Sequence, residues 1–330
     1  MPARRRAFAV IAALVLLSLA SLIVALAAGS LPVPVSELLA VLGGANRPSR
    51  PIILELRLPR ALAGYTVGGL LAIAGCLMQV LLRNPLADPY VLGISGGAGV
   101  GALLAMLLGW AGAAVPGCAF LGALGAMLLV FALAHGEGVW TQTRLLLTGV
   151  VVATGCGAIV ALILTLAPEQ KVHGMLFWLM GDLSQAQQAW PAGLALGVCL
   201  FASLPLARDL NVLARGEALA QTLGVEAGRL RRQVYLIASL ATASAVTTAG
   251  SIGFVGLVVP HLMRLSLGPA SGNDQRLLLP AACLAGGSLL SLADTAARTV
   301  AAPLQLPVGM LTALIGVPLF LYLLRRSVRT

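Results

Sequence analysis

The 330 residues are 59% hydrophobic and only 10% charged, with a mean hydropathy of +0.98, whereas a globular domain carries about 25% charged residues. That balance excludes an ordinary water-soluble fold, because too little polar sequence remains to cover the apolar part. The net charge of +10 does not point to nucleic acid: the basic residues sit in short clusters between apolar runs, as expected of loops on the positive side of a membrane protein.

A helix needs about 20 apolar residues to cross a bilayer, so ten of them use about 200 residues, close to the apolar share here. The chain reads as an all-α integral membrane protein with ten spanning helices and a single domain over 1–330. The first expected helix, 7–28, follows Arg4, Arg5 and Arg6. Its apolar run exceeds the 7–15 residues of a signal-peptide core, which favours a retained first span over a cleaved leader. Further helices are expected at 60–82, 92–109, 115–134, 145–166, 190–206, 233–250, 254–268, 277–297 and 307–324. Those at 92–109, 190–206 and 254–268 are short, and the last contains Pro260, so they read as broken or partly spanning. Starting inside, this order puts Arg47, Arg50, Arg57, Arg60, Lys171 and Arg298 on the outer side. The other basic residues, Arg329 among them, fall inside, and both termini are cytoplasmic.

Cys76, Cys118, Cys156, Cys199 and Cys283 are scattered singly and have neither metal-ligand spacing nor the pattern of a disulfide framework. They read as small apolar residues, and no metal site is expected. "NPLADP" (84–89) breaks the chain before the third span, with Asn84, Pro85 and Asp88 at the break. It is followed by the glycine-dense "GISGGAGVGALLA" (93–105), containing Gly93, Ser95, Gly96 and Gly97. Two readings stand for that stretch: close helix packing, or a helix start beside a transport pathway. A phosphate-binding loop lacks its lysine. Between 173 and 190, aromatic residues Phe177, Trp178 and Trp190 fit an interfacial belt on the outer side, with a substrate-facing role for His173 as the alternative. Asp294 and Arg298 are spaced to pair along one helix face.

The most polar stretch is "DLNVLARGEALAQTLGVEAGRLRR" (209–232). Gly216, Gly224 and Gly228 divide it, leaving Leu210–Arg215 and Glu217–Leu223 as short helical pieces. Leu219, Leu223 and Val225 are expected to form an inward apolar face, with Glu217 and Gln221 outside. The segment reads either as a solvated connector that fixes topology or as a docking element.

"RLPRALAGYTVGGLLAIAGCLMQVLLRNPLADPYVLGISGGAGVG" (57–101), "GSIGFVGLVVPHLMRL" (250–265), "LADTAAR" (292–298) and "LPVGMLTALIGVPLFLYLLRR" (306–326) resemble, in order, the conserved blocks of the type II ABC importer permeases. Those permeases carry ferric siderophores, haem or cobalamin. The resemblance implies a ten-helix subunit of the bacterial inner membrane, paired with a second copy around a central pathway. It also implies two cytoplasmic ATPase subunits, where ATP and Mg bind, and a periplasmic binding protein. It implies that the 207–232 loop couples to the ATPase through Asn211, Arg215, Gly216, Glu217, Ala218, Gln221, Leu223 and Gly224. Arg57, Arg60 and Arg298 would then dock the binding protein through its glutamates, and the 84–89 break would shape the inner end of the pathway, with Gly93, Ser95, Gly96 and Gly97 beside it. From the residues alone, the three arginines read as functional candidates or interfacial anchors. The chain itself has no catalytic motif and no cofactor of its own. An intramembrane enzyme lacks a nucleophile–base or metal signature. An ion-coupled carrier or channel would use midplane carboxylates, for which Asp294 is the candidate.

Overall fold

The computed structural model describes residues 2–29, 31–134, 141–184, 186 and 188–327. Among them every regular element is helical. The helices are α1 (Pro2–Ala27), α2 (Val35–Leu42), α3 (Leu58–Leu81), α4 (Ile94–Leu107), α5 (Ala114–Ala134), α6 (Gln142–Leu166) and α7 (Glu169–Leu179). They continue as α8 (Trp190–Ser203), α9 (Ala207–Leu213), α10 (Glu217–Thr222), α11 (Ala227–Ala249), α12 (Val255–Leu267), α13 (Gln275–Ala297) and α14 (Val308–Ser327). A π-helical turn, Ile52–Arg57, runs straight into α3, and a 3-10 turn, Pro89–Leu92, precedes α4. Arg329 lies outside the described residues.

Each of the ten expected segments coincides with a helix. Five of the described helical stretches are long and apolar enough to cross a membrane: Arg4–Ala27, Ile52–Leu81, Ala114–Ala134, Gln142–Leu166 and Gln275–Ala297. The pair α8–α9, bent by 64°, counts as a sixth only where both halves are taken as one span, and α4, α12 and Val308–Tyr322 are shorter apolar helices. α11 is long but less apolar, because it opens with Arg229, Arg231, Arg232 and Gln233 and buries Ala238, Ser239, Ala241 and Thr242 further on. Such small residues suit a helix that meets other helices rather than lipid. Three helical pieces depart from the sequence expectation. α2 is too short to register in a spanning window, and α7 carries Glu169, Lys171 and His173, which interrupt hydropathy without interrupting the helix. The π-helical turn extends the second span back to Ile52, beyond the expected start at 60.

α3 is buried along most of its length and is flanked by α8, α11, α12 and α13, while α4 packs against α5 and α6. Glycines set the spacing. A Cβ on Gly68 would stand 2.1 Å from the Gly286 carbonyl oxygen, one on Gly75 would stand 1.9 Å from that of Gly256, and one on Gly97 would stand 2.3 Å from that of Gly122. At these crossings the backbones themselves touch, which is how helices associate where lipid removes the hydrophobic drive between them. α5 and α6 instead present Leu121, Leu128, Leu147, Val151 and Leu162 outward.

α12 contains Pro260, which has no N–H to offer the Gly256 carbonyl one turn back. Gln79 of α3 offers a donor there: its Nε2 lies 3.5 Å from Gly256 O and 3.4 Å from Leu257 O. Its Oε1 in turn accepts from Arg264 Nη1. The non-helical backbone between α11 and α12 is held inside the bundle. Tyr90 Oη donates to Ile252 O at 3.1 Å and accepts from Ile252 N at 3.0 Å. Such internal satisfaction is what irregular backbone at membrane depth requires.

Candidate functional site

The charged loop folds as two short helices, α9 and α10, slightly displaced from the expected pieces. Gly216 precedes α10 at φ 131°, and Gly224 follows it at φ 77°, two conformations that a side chain resists. Gly228 is not a break: it lies in the first turn of α11. The expected orientation of α10 holds only in part: Gln221 is exposed and Val225 packs against the bundle, but the two leucines do not face inward. Ala220 is the buried residue, whereas Leu219 and Leu223 are 42% and 62% exposed. Glu217 stays partly exposed while its carboxylate pairs with the buried Arg231 of α11. The loop therefore shows an apolar tip, with Ala218, Gln221 and Gly224 also exposed and Arg215 beside them. A groove of about 560 Å³ runs along it, lined by Arg208, Val212, Leu223, Arg229 and Gln233.

Asn211 faces the bundle. Its Nδ2 donates to Asp274 Oδ1 at 2.8 Å, and its Oδ1 accepts from Gln275 N at 2.8 Å, so α9 is fastened to the start of α13. Asp274 caps that helix, accepting from Arg276 N at 3.1 Å. Neither Asp274 nor Arg231 is marked out by charge or spacing as a site residue. "GND" before an apolar run is nonetheless a legible helix-start signal.

At the opposite end of α13, the three arginines expected on the outer side gather around Asp294 and the end of α1. Arg60 donates to both Asp294 oxygens at 2.9–3.1 Å and to Gln305 Oε1 at 2.7 Å. Arg298 Nε lies 3.5 Å from Asp294 Oδ2, which is the expected pairing one turn apart, and its Nη2 donates to Ala25 O. Arg57 Nη1 donates to Leu26 O and Ala27 O at 2.8 and 3.0 Å, and its Nη2 to Leu31 O. Arg57 and Arg298 thus serve carbonyls at the C-terminal end of α1, which are left without intrahelical donors and carry partial negative charge. One carboxylate stands among three guanidinium groups, so the cluster keeps an excess of positive charge.

At the break before α4, Asn84 Oδ1 accepts from Leu86 N and Asp88 Oδ1 from Tyr90 N, at 2.9 and 2.8 Å. Pro85 is exposed beside them. Ser95 shares a hydroxyl hydrogen bond with Ser251. A Cβ on Gly96 would press on Cys156 Cβ at 2.8 Å, and Gly93, at φ 74°, sits against Val152 and Ala153. With Gly97 on Gly122, each of these glycines faces a neighbouring helix.

Residues 14–326 match the model of the FecCD transport family. The chain belongs to that family. Among its FecCD relatives, the cobalamin import system permease protein BtuC of Halobacterium salinarum is 44% identical over 292 residues, covering 87% of this chain and 77% of the relative. The hemin transport system permease protein HmuU of Yersinia pestis is 41% identical over 288 residues, 84% of each chain. A solved structure described as an inward-facing conformation of a metal-chelate type ABC transporter superposes with a TM-score of 0.83 at 29% identity. It covers 97% of this chain and 99% of its own. This FecCD chain is accordingly an ABC importer permease, with the all-helical fold of that type.

Proposed function

We propose that this FecCD permease crosses the bacterial inner membrane ten times, with both termini in the cytoplasm, and works as a pair of identical subunits. It receives an iron chelate, haem or a ferric siderophore, from a periplasmic binding protein and releases it to the cytoplasm. The observation that carries the ATP-driven reading is the 207–232 loop. An exposed apolar tip among arginines, braced to the bundle through Asn211 and Glu217, suits a partner groove better than it suits water. Two ATPase subunits holding ATP and Mg would seat there. On the outer side, the excess positive charge around Arg57, Arg60 and Arg298 supports attraction of an acidic face of the binding protein, because net field steers encounter even where the charges are already bonded.

Cobalamin is the second reading for the substrate, favoured by the name of the H. salinarum relative. The deciding experiment is uptake into proteoliposomes containing the permease and ATPase, with binding protein outside and haem, a ferric siderophore or cobalamin supplied in turn. ATP-dependent accumulation of haem or the siderophore is the expected result. Accumulation of cobalamin alone transfers the assignment, and flux that needs neither ATP nor binding protein overturns it. Leu223→Asp, at an exposed site that adds no burial cost to the fold, should weaken ATPase association by tenfold or more, the loss typical of an interface hot spot. Co-purification measures it, and undiminished association would remove the loop tip from the docking surface.

A further inference from the structure

The charged loop and the outer arginine cluster lie at the two ends of one helix. Asp274 and Asp294 are twenty residues apart along α13, about 30 Å at the helical rise. At the loop end, two side-chain hydrogen bonds join α9 to α13, and between them Asn211 and Asp274 satisfy the first two backbone donors of the helix, Gln275 N and Arg276 N. These donors have no partner within the helix, so sliding α9 away from α13 strands Gln275 N and frees Asp274, the cap of Arg276 N, from Asn211. At the other end, Asp294 grips Arg60 of the α3 N-terminus, and Arg298 reaches Ala25 O of α1.

The length between these joints is stiffly held. Gly286 meets Gly68 of α3 backbone to backbone, Gly287 lies under the Tyr65 ring, and Gly64 abuts Ser291. Ser288 bonds Ser18 of α1 at 3.0 Å, and Tyr65 Oη donates to the same Ser18 at 2.9 Å. Pro280 interrupts one helical bond, but α13 continues through it as one element. Contacts this close do not deform gradually, so displacement at one end is carried to the other.

We propose that α13 is the rod through which the ATPase-docking loop and the outer docking face act on each other, and that Asp274 is the positioning residue that joins the rod to the loop. This rests on the importer reading above. Coupling between two ligands is reciprocal, so nucleotide at the ATPase must change the affinity for the binding protein, and that change is the readout.

The test uses the complete permease–ATPase complex in lipid nanodiscs. Affinity for the substrate-free binding protein is measured with and without a non-hydrolysable ATP analogue. The wild-type complex is expected to show a shift of about tenfold, within the usual range of coupling factors. Asp274→Ala should leave the nucleotide-free affinity in place and reduce the shift to less than about twofold. Asn211→Asp should do the same by setting two carboxylates face to face while keeping an acceptor for Gln275 N. The exchange Asn211→Asp with Asp274→Asn retains acceptors for both backbone donors and a donor–acceptor contact between the side chains, and it should restore the shift. A purely structural role predicts a common fall in assembly without this selective loss and rescue. A full wild-type shift in Asp274→Ala overturns the rod. If Asp274→Ala does not assemble, a full shift in Asn211→Asp overturns it equally. A wild-type complex that binds no binding protein overturns the importer reading instead, and the rod with it.

Discussion

Asp294→Ala is expected to destabilise the protein by about 3–5 kcal/mol, the cost of removing one partner from a buried ion pair. The Asp294 side chain is 4% exposed and that of Arg60 12%, so water cannot replace the lost carboxylate. Arg60 would lose the acceptor of three hydrogen bonds, and Arg298 would lose its counter-charge beside two other arginines. The thermal transition of the detergent-solubilised protein should fall by about 4–7 °C. Asp294→Asn, which keeps an acceptor oxygen but no charge, should fall part of the way. A shift of less than about 2 °C for the alanine variant would show that the cluster is not held by this carboxylate.

Gly75→Ala carries the second large effect. The added methyl would lie 1.9 Å from Gly256 O and 2.8 Å from Gly256 Cα, against backbone that has no rotamer to change. Inserting a methyl group into a close-packed interior costs about 1–3 kcal/mol and sometimes more; with backbone as the obstacle, the upper end is expected. α3 and α12 must separate, which also withdraws Gln79 from the α12 carbonyls. Gly125→Ala on α5 is the control, since nothing lies within 4 Å of its Cβ position. It should be neutral or stabilise by up to about 1 kcal/mol through helix propensity. Folded yield and thermal transition compare the two, and equal behaviour would remove the steric account of the α3–α12 crossing.

The helices were legible because lipid demands uninterrupted apolar runs, and that demand is local in sequence. The two pieces at 207–222 were legible for a different local reason: Gly216 and Gly224 punctuate them. Orientation within that loop was not legible. Hydropathy assigns Leu219 and Leu223 inward, but the Glu217–Arg231 pair and the buried small Ala220 leave both leucines exposed. Pairings across the bundle were also hidden. Asp294 can be matched to Arg298 by helical spacing, but its stronger partner, Arg60, is 234 residues away, and no periodicity connects them. The same holds for Asn211 and Asp274, which are 63 apart. Glycine density announced close approach without saying which helix each glycine meets.

The Gln79–Pro260 arrangement has a consequence for biogenesis. Gln79 and Gly256 are 177 residues apart, so α3 is synthesised long before the helix whose carbonyls it serves. During that interval a buried amide waits without these acceptors, and α12 later leaves the ribosome with a carbonyl that its own sequence cannot satisfy. Each therefore carries an unmet bonding need into the bilayer, and that need disappears when the two meet. The proline thus ties the settling of α12 to the earlier placement of α3 and its Gln79.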